Sequence, residues 1–312
     1  PMHVLMILSA TFASLLSCSP DGPVPIGPSS GSPIASDPIL HDASSPLSGP
    51  QVRFLSPSGP LDALPTQIVA IFDQPMVALG ADPNAQGVPI ELDPPVPGRG
   101  YWVGTRIAVL VPQSPLRYAT SYAVRVPAHA TAPSGLALGR DFTANFETPR
   151  PEPLRIHGPS EAPCIPLQTF VVAFDQPVAP SALERVARFR VHDRQNRVVR
   201  VRASVPATPD ERAALAQGLG APSDEAAWQS GHLIALRPAE ALPLDTAFDL
   251  EVPAGLIGRL GPLPSTKSLQ GAFRTYGPLR VASQSCTTAC DPDNTFVQIE
   301  FTTPVCEVEF RA

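Results

Sequence analysis

Two carboxylates recur at the same place in a repeated phrase. Asp73 follows Ile68-Val69-Ala70-Ile71-Phe72 and leads into Gln74-Pro75-Met76, while Asp175 follows Phe170-Val171-Val172-Ala173-Phe174 and leads into Gln176-Pro177-Val178. Carboxylates held in register can serve acid–base or metal chemistry. A third copy argues otherwise: Val297-Gln298-Ile299-Glu300-Phe301 runs into Thr302-Thr303-Pro304-Val305, which keeps Phe and Pro and drops the acid. A group the phrase can do without is architectural, and Asp73 and Asp175 read as turn formers.

Other chemistry-bearing residues are scattered. The six histidines (3, 41, 129, 157, 192 and 232) stand apart, with no His-Glu-x-x-His pattern, no Gly-x-Ser-x-Gly elbow and no glycine-rich phosphate loop. His192-Asp193 has no third member. Cys286 and Cys290 flank Thr287-Thr288-Ala289, a spacing for a small local disulfide in an oxidising compartment; a zinc site would need further ligands nearby. Cys164 and Cys306 are left to pair with each other, stay buried or meet other partners. Asp291, Asp293 and Asn294 begin like a calcium loop but lack its glycine and distal glutamate. The expectation is a protein without catalytic residues, cofactor or metal.

Seven arginines (185, 188, 190, 194, 197, 200 and 202) invite a nucleic-acid reading. Their spacing opposes it: Arg188 and Arg190 alternate with Phe189 and Val191, and Arg200 and Arg202 with Val199 and Val201, about a turn at Asp193-Arg194-Gln195-Asn196. That is a hairpin with one charged and one buried face, and Asp249 and Glu251 on a later strand would offset the charge if they lie alongside. A formal net charge of −6 also argues against a nucleic-acid partner. Tyr101 and Trp102 would suit a carbohydrate only if both rings were exposed, and Trp102 reads as a core aromatic.

The elements that carry these residues are short strands. Forty-one prolines exclude long helices and punctuate the chain with hard turns. Strand patterns at 68–72, 106–112, 116–127 and 142–146 form a first module over 51–150, and they return at 170–174, 233–238, 242–253 and 273–275 in a second over 151–277. Pro112 and Pro238, like Tyr122 and Phe248, lie 126 residues apart, whereas Phe72 and Phe174 lie 102 apart. An insertion of 24–25 residues in the second copy is required, and 206–230 fits it. Thr208-Pro209-Asp210-Glu211 is a capping box, with a stop expected at Gly218 and a shorter helical turn at 223–228. The fold class expected is all-β: tandem Ig-like β-sandwiches with a short helical insertion in the second, and a third β module begun at 278–312.

Residues 4–16 are almost wholly apolar and end in Leu15-Leu16-Ser17-Cys18, which resembles the lipobox of bacterial lipoproteins. The resemblance makes 1–18 a signal peptide and Cys18 the lipidated residue, hence a membrane partner through a lipid anchor; Ser19 after it favours the outer membrane. Lys and Arg are missing ahead of the apolar run, consistent with a reading frame cut imprecisely at its start. Residues 19–50, dense in Pro, Ser, Gly and Asp, read as a flexible tether.

The repeated layout of Phe-Asp-Gln-Pro strand, proline-ended strand, Thr120-Ser121-Tyr122-Ala123-Val124-Arg125-Val126-Pro127 or its cognate, and Phe146-Glu147-Thr148 or Phe273-Arg274-Thr275 resembles the bacterial Ig-like domain named after the S-layer protein SbsA. The tandem pair behind a lipobox, with Thr275-Tyr276-Gly277-Pro278-Leu279 and the two-cysteine loop at 286 and 290, is similar to the N-terminal region of bacterial alpha-2-macroglobulins. That resemblance implies a broad-range endopeptidase inhibitor of the cell envelope, with proteases as partners of the full-length protein. Neither a bait nor a thioester is carried here, since Cys306-Glu307-Val308-Glu309 is not Cys-x-Glu-Gln. The alternative is a cell-surface structural or adhesion protein made of the same Ig-like beads.

Overall fold

The computed structural model describes residues 48–82, 87–159, 163–286 and 297–303. Strand β1 (Val52–Ser56), β2 (Gly59–Pro60), β3 (Ile68–Phe72), β4 (Glu91–Asp93), β5 (Gly98–Val103), β6 (Ile107–Pro112), β7 (Ser121–Val126) and β8 (Phe142–Glu147) make a first sandwich. Its sheets run β1-β3-β6-β5 and β2-β8-β7-β4, antiparallel except for β2 against β8. Alternation sends Ile68, Ala70 and Phe72 inward from one sheet and Tyr122, Val124 and Val126 from the other. Phe72 meets Trp102 at 5.9 Å and Tyr122 meets Phe146 at 5.3 Å between ring centres. Trp102 is 5% exposed, which disposes of a sugar platform there.

The second sandwich comprises β9 (Pro153–His157), β10 (Phe170–Phe174), α1 (Pro180–Val186), β11 (Arg188–Val191), β12 (Val198–Ser204), α2 (Pro209–Leu219), α3 (Glu225–Ser230), β13 (Leu233–Pro238), β14 (Ala247–Val252) and β15 (Leu269–Arg274). One sheet order, β15-β14-β11-β12-β13-β10-β9, runs through all seven strands. Strand β12 turns the corner: residues 198–200 pair with β11 and residues 201–204 with β13. Apart from that β11–β12 pairing, the neighbours match the first copy strand for strand. In particular β3 lies between β1 and β6, as β10 lies between β9 and β13. Even the parallel pairing of β2 with β8 has its counterpart in a bridge between Cys164 and Thr275.

The insertion falls where the first copy has only the turn 104–106. Thr208 and Glu211 form the expected capping box, with Pro209 opening α2. The expected stop at Gly218 is corrected: the helix passes through it and ends at Gly220, whose φ of 62° is the left-handed conformation a C-terminal glycine supplies. Helix α1 was not legible as such, being seven residues long and opened by a proline.

Helices α2 and α3 add a third layer. Trp228, fully buried, packs with Leu215 and Leu219 over Val171, Leu233 and Ala235 on the outer face of β10 and β13. Val171, Leu233 and Ala235 are therefore buried on the outer face, whereas the outward Val69 and Ile71 of β3 remain half-exposed. Beyond β15, β16 (Val281–Cys286) and β17 (Val297–Phe301) pair antiparallel.

Candidate functional site

The carboxylates singled out from sequence hold the chain in place. Asp73 Oδ1 accepts the N–H of Gln51 at 2.8 Å, and Asp175 Oδ1 accepts that of Glu152 at 2.6 Å. Each also donates its own N–H back to the same residue's carbonyl. In the third copy Thr302 Oγ1 accepts the N–H of Arg280 at 2.9 Å and its N–H returns to Arg280 O. One reciprocal clasp thus ties the end of the Phe strand to the residue ahead of the preceding strand in all three copies. A hydroxyl serves as well as a carboxylate because the task is only to accept one N–H.

The glutamine extends the clasp. Gln74 Nε2 donates to Ser48 O at 3.4 Å, and Gln176 Nε2 to Pro149 O at 2.9 Å. Pro149 O also accepts the N–H of Ala119 at 2.9 Å, so one carbonyl is gripped by both sandwiches. In the third copy Thr303 occupies the glutamine's place, and its buried hydroxyl has no partner among the described residues.

Around that carbonyl the sandwiches are joined. Thr148 is 1% exposed; its Oγ1 donates to Arg117 O at 2.7 Å and accepts the N–H of Thr120 at 2.9 Å. Arg150 pairs with Glu147 at 2.6 Å and donates to Pro264 O at 3.1 Å. Pro149, Pro151 and Pro153 fix φ along the linker and leave few donors to satisfy. The β14–β15 loop, 253–268, reaches back: Leu263 N–H donates to Ala119 O at 2.9 Å. Inside this loop Leu256 and Ser265 exchange hydrogen bonds, both being buried. A Cβ on Gly261 would stand 2.0 Å from Tyr118 O and 2.7 Å from Ala119 O, so only glycine permits this approach.

The arginine cluster divides. Arg188 and Arg190 face Glu251 and Asp249 in register, and Glu251 binds both guanidiniums at 2.7 Å. Arg190 chiefly, with Arg188 adding and desolvation opposing, pulls the Glu251 carboxyl down to about 2. Arg197 pairs with Asp193 across the turn. Asp249 is buried and lies 2.7 Å from His192 Nε2, a partner for His192 that sequence reasoning missed. Register alone reveals it, since Arg190 sits opposite Asp249.

The remaining candidates stand apart from one another. Ser230 Oγ lies 2.7 Å from His232 Nδ1, but it also donates to Ala227 O and finishes α3. Burial foremost, then Arg155, lowers the pKa of His157. Cys164 is a free, buried thiol that burial pushes up to about 11, and it takes the place of Leu61: both donate N–H to the end of the last strand, at Arg274 O and Glu147 O. Among the described residues no group of three or more His, Cys, Asp or Glu could hold a metal. Cys18, Cys290, Cys306, Asp291, Asp293 and Asn294 lie outside the described residues, as does the side chain of Cys286.

No family model matches this chain, and no curated protein matches it significantly. Among solved structures it is similar to an L,D-transpeptidase from Mycobacterium tuberculosis H37Rv, at 19% identity and a TM-score of 0.23, over 48% of this chain and 57% of that one. The transpeptidase LdtMt1 in complex with imipenem matches at 16% identity and a TM-score of 0.23, over 49% and 74%. Domains 1–6 of the surface layer protein SbsC match at 13% identity and a TM-score of 0.24, over 82% of this chain and 32% of that one. The match thus spans little more than half of the first transpeptidase and a third of the SbsC chain.

Proposed function

We propose that this chain is a non-catalytic structural element of the cell surface, in which a stiff pair of Ig-like beads is carried on a lipid anchor at Cys18. The observation that carries this reading is the joint. Pro149 O, gripped from both sides, and the glycine-dependent seat of the β14–β15 loop on Ala119 turn two beads into one body. The acids that might have signalled chemistry are spent on the clasps. The lipobox-like Leu15-Leu16-Ser17-Cys18 and the Pro/Ser-rich stretch after it supply the anchor and tether.

Fractionation of bacteria expressing the full-length protein tests the anchoring. Cys18→Ser is expected to move the protein from the membrane to the soluble envelope fraction; equal distribution of both forms would overturn it. The narrower reading, the N-terminal scaffold of a macroglobulin-like endopeptidase inhibitor, is supported by the sequence resemblance. It predicts that the full-length protein, once cleaved, co-elutes with the attacking protease in gel filtration. Cleavage without retention leaves the cell-surface structural reading in place.

A further inference from the structure

We propose that the groove between β12, β13 and α2 binds an oxyanion, and that its ligand is a phosphate monoester with an apolar body. Arg202 on β12 and Arg237 on β13 are direct cross-strand partners, and both are exposed. Like charges in that relation destabilise a sheet. Other arginines of these sheets that face one another or a neighbouring strand include neutralised ones, Arg188 and Arg190 by Glu251 and Arg125 by Glu91 and Asp141, and unpaired ones such as Arg200. Neither Arg202 nor Arg237 has an ion-pair partner among the described residues.

The place is also concave. Both arginines line a cleft of about 420 Å³ whose wall is α2, an element the first sandwich lacks. That size falls within the roughly 300–1,000 Å³ typical of small-ligand sites. Thr169 and Ser204 line it, beside an apolar floor of Leu215 and Ala235. Glu211 lines it too, but its carboxylate is turned to the Ala207 and Thr208 N–H groups at the start of α2. Two planar guanidiniums match a dianion better than a monoanion, because each fork takes two oxygens and each carries one charge. The apolar floor adds contact that inorganic phosphate leaves unused.

An amide-resolved NMR titration of the whole chain at low salt, with phenyl phosphate, inorganic phosphate and benzoate as probes, tests this. Phenyl phosphate is expected to shift the amides of Thr169, Ser204 and Ala235 and to bind about tenfold more tightly than the other two, a gap the apolar floor and the second charge would supply. Arg202→Gln with Arg237→Gln should abolish those shifts while thermal melting shows a fold at least as stable, since the like-charge contact is relieved. Arg185→Gln, outside the groove, should leave binding unchanged. Absence of shifts, or equal loss in the Arg185 variant, would overturn the site. Equal affinity for benzoate would overturn the choice of phosphate.

Discussion

At the scale of single residues, the account rests on what Asp175 does. Its carboxylate accepts one backbone N–H in a partly desolvated place, and burial, the largest influence on it, raises its pKa. The bond lies at an exposed position, and losing such an acceptor costs about 0.5–1.5 kcal/mol. Asp175→Ala should therefore lower stability by that order in urea melts, while Asp175→Thr, copying Thr302, should recover most of the loss. A threonine as harmful as alanine would show that charge, not acceptance of the N–H, matters there.

Glu251 gives a pH signature. Its carboxyl is held at about 2 in the fold against an ordinary 4.5, so its pairing stabilises the protein fully above about 4.5 and that contribution fades as pH falls toward 2. Stability profiles of the native protein and Glu251→Gln should differ most near neutral pH and converge in acid. Parallel profiles would contradict the pairing with Arg188 and Arg190.

Much at this scale was legible, and the reason is local. Period-two alternation exposes its inward set in sequence, so Ile68, Phe72, Phe170 and Phe174 are where the pattern put them. The clasp partners were not legible, because Asp73 and Asp175 reach back 22 and 23 residues to backbone N–H groups that carry no side-chain signal. The Asp249–His192 pair and the Arg202–Arg237 contact likewise depend on strand register, which alternation constrains only to a face.

At the scale of elements, the helical insertion is part of the second sandwich and not an ornament on it. Ile68 to Phe72 and Phe170 to Phe174 are equally unbroken apolar runs, so the third layer shows in burial and not in these strands' sequence: outward Val171 is buried where Val69 and Ile71 are half-exposed. Trp228 is the largest fully buried side chain among the described residues. Its truncation to alanine should cost about 3–5 kcal/mol, the usual penalty for a buried Trp or Phe, while the first sandwich's ring pair of Tyr122 and Phe146 stays packed. Separate near-ultraviolet and amide-exchange signals for the two sandwiches check this, and a loss below about 1 kcal/mol would mean that the helices merely rest on the sheet. The length of α2 was misjudged at Gly218 for an intelligible reason: a glycine inside a helix costs only about 1 kcal/mol, less than the packing of Leu219 returns.

At the scale of the molecule, two beads of one topology are joined by a linker that no longer behaves as a linker. The β14–β15 loop could not be assigned this work from sequence, since Gly261 and Leu263 look like ordinary loop residues until Tyr118 and Ala119 are placed against them. In the third copy Thr303 stands in the glutamine's place, and its hydroxyl has no hydrogen bond among the described residues. Residual dipolar couplings, measured on the whole chain in a weakly aligning medium, test the central claim most directly. A single alignment tensor should fit the amides of residues 52–147 and 153–274 together, and Gly261→Leu should split it into two with both sandwiches still folded. Two unequal tensors in the native protein would show beads that swing freely, and the rigid joint would be contradicted.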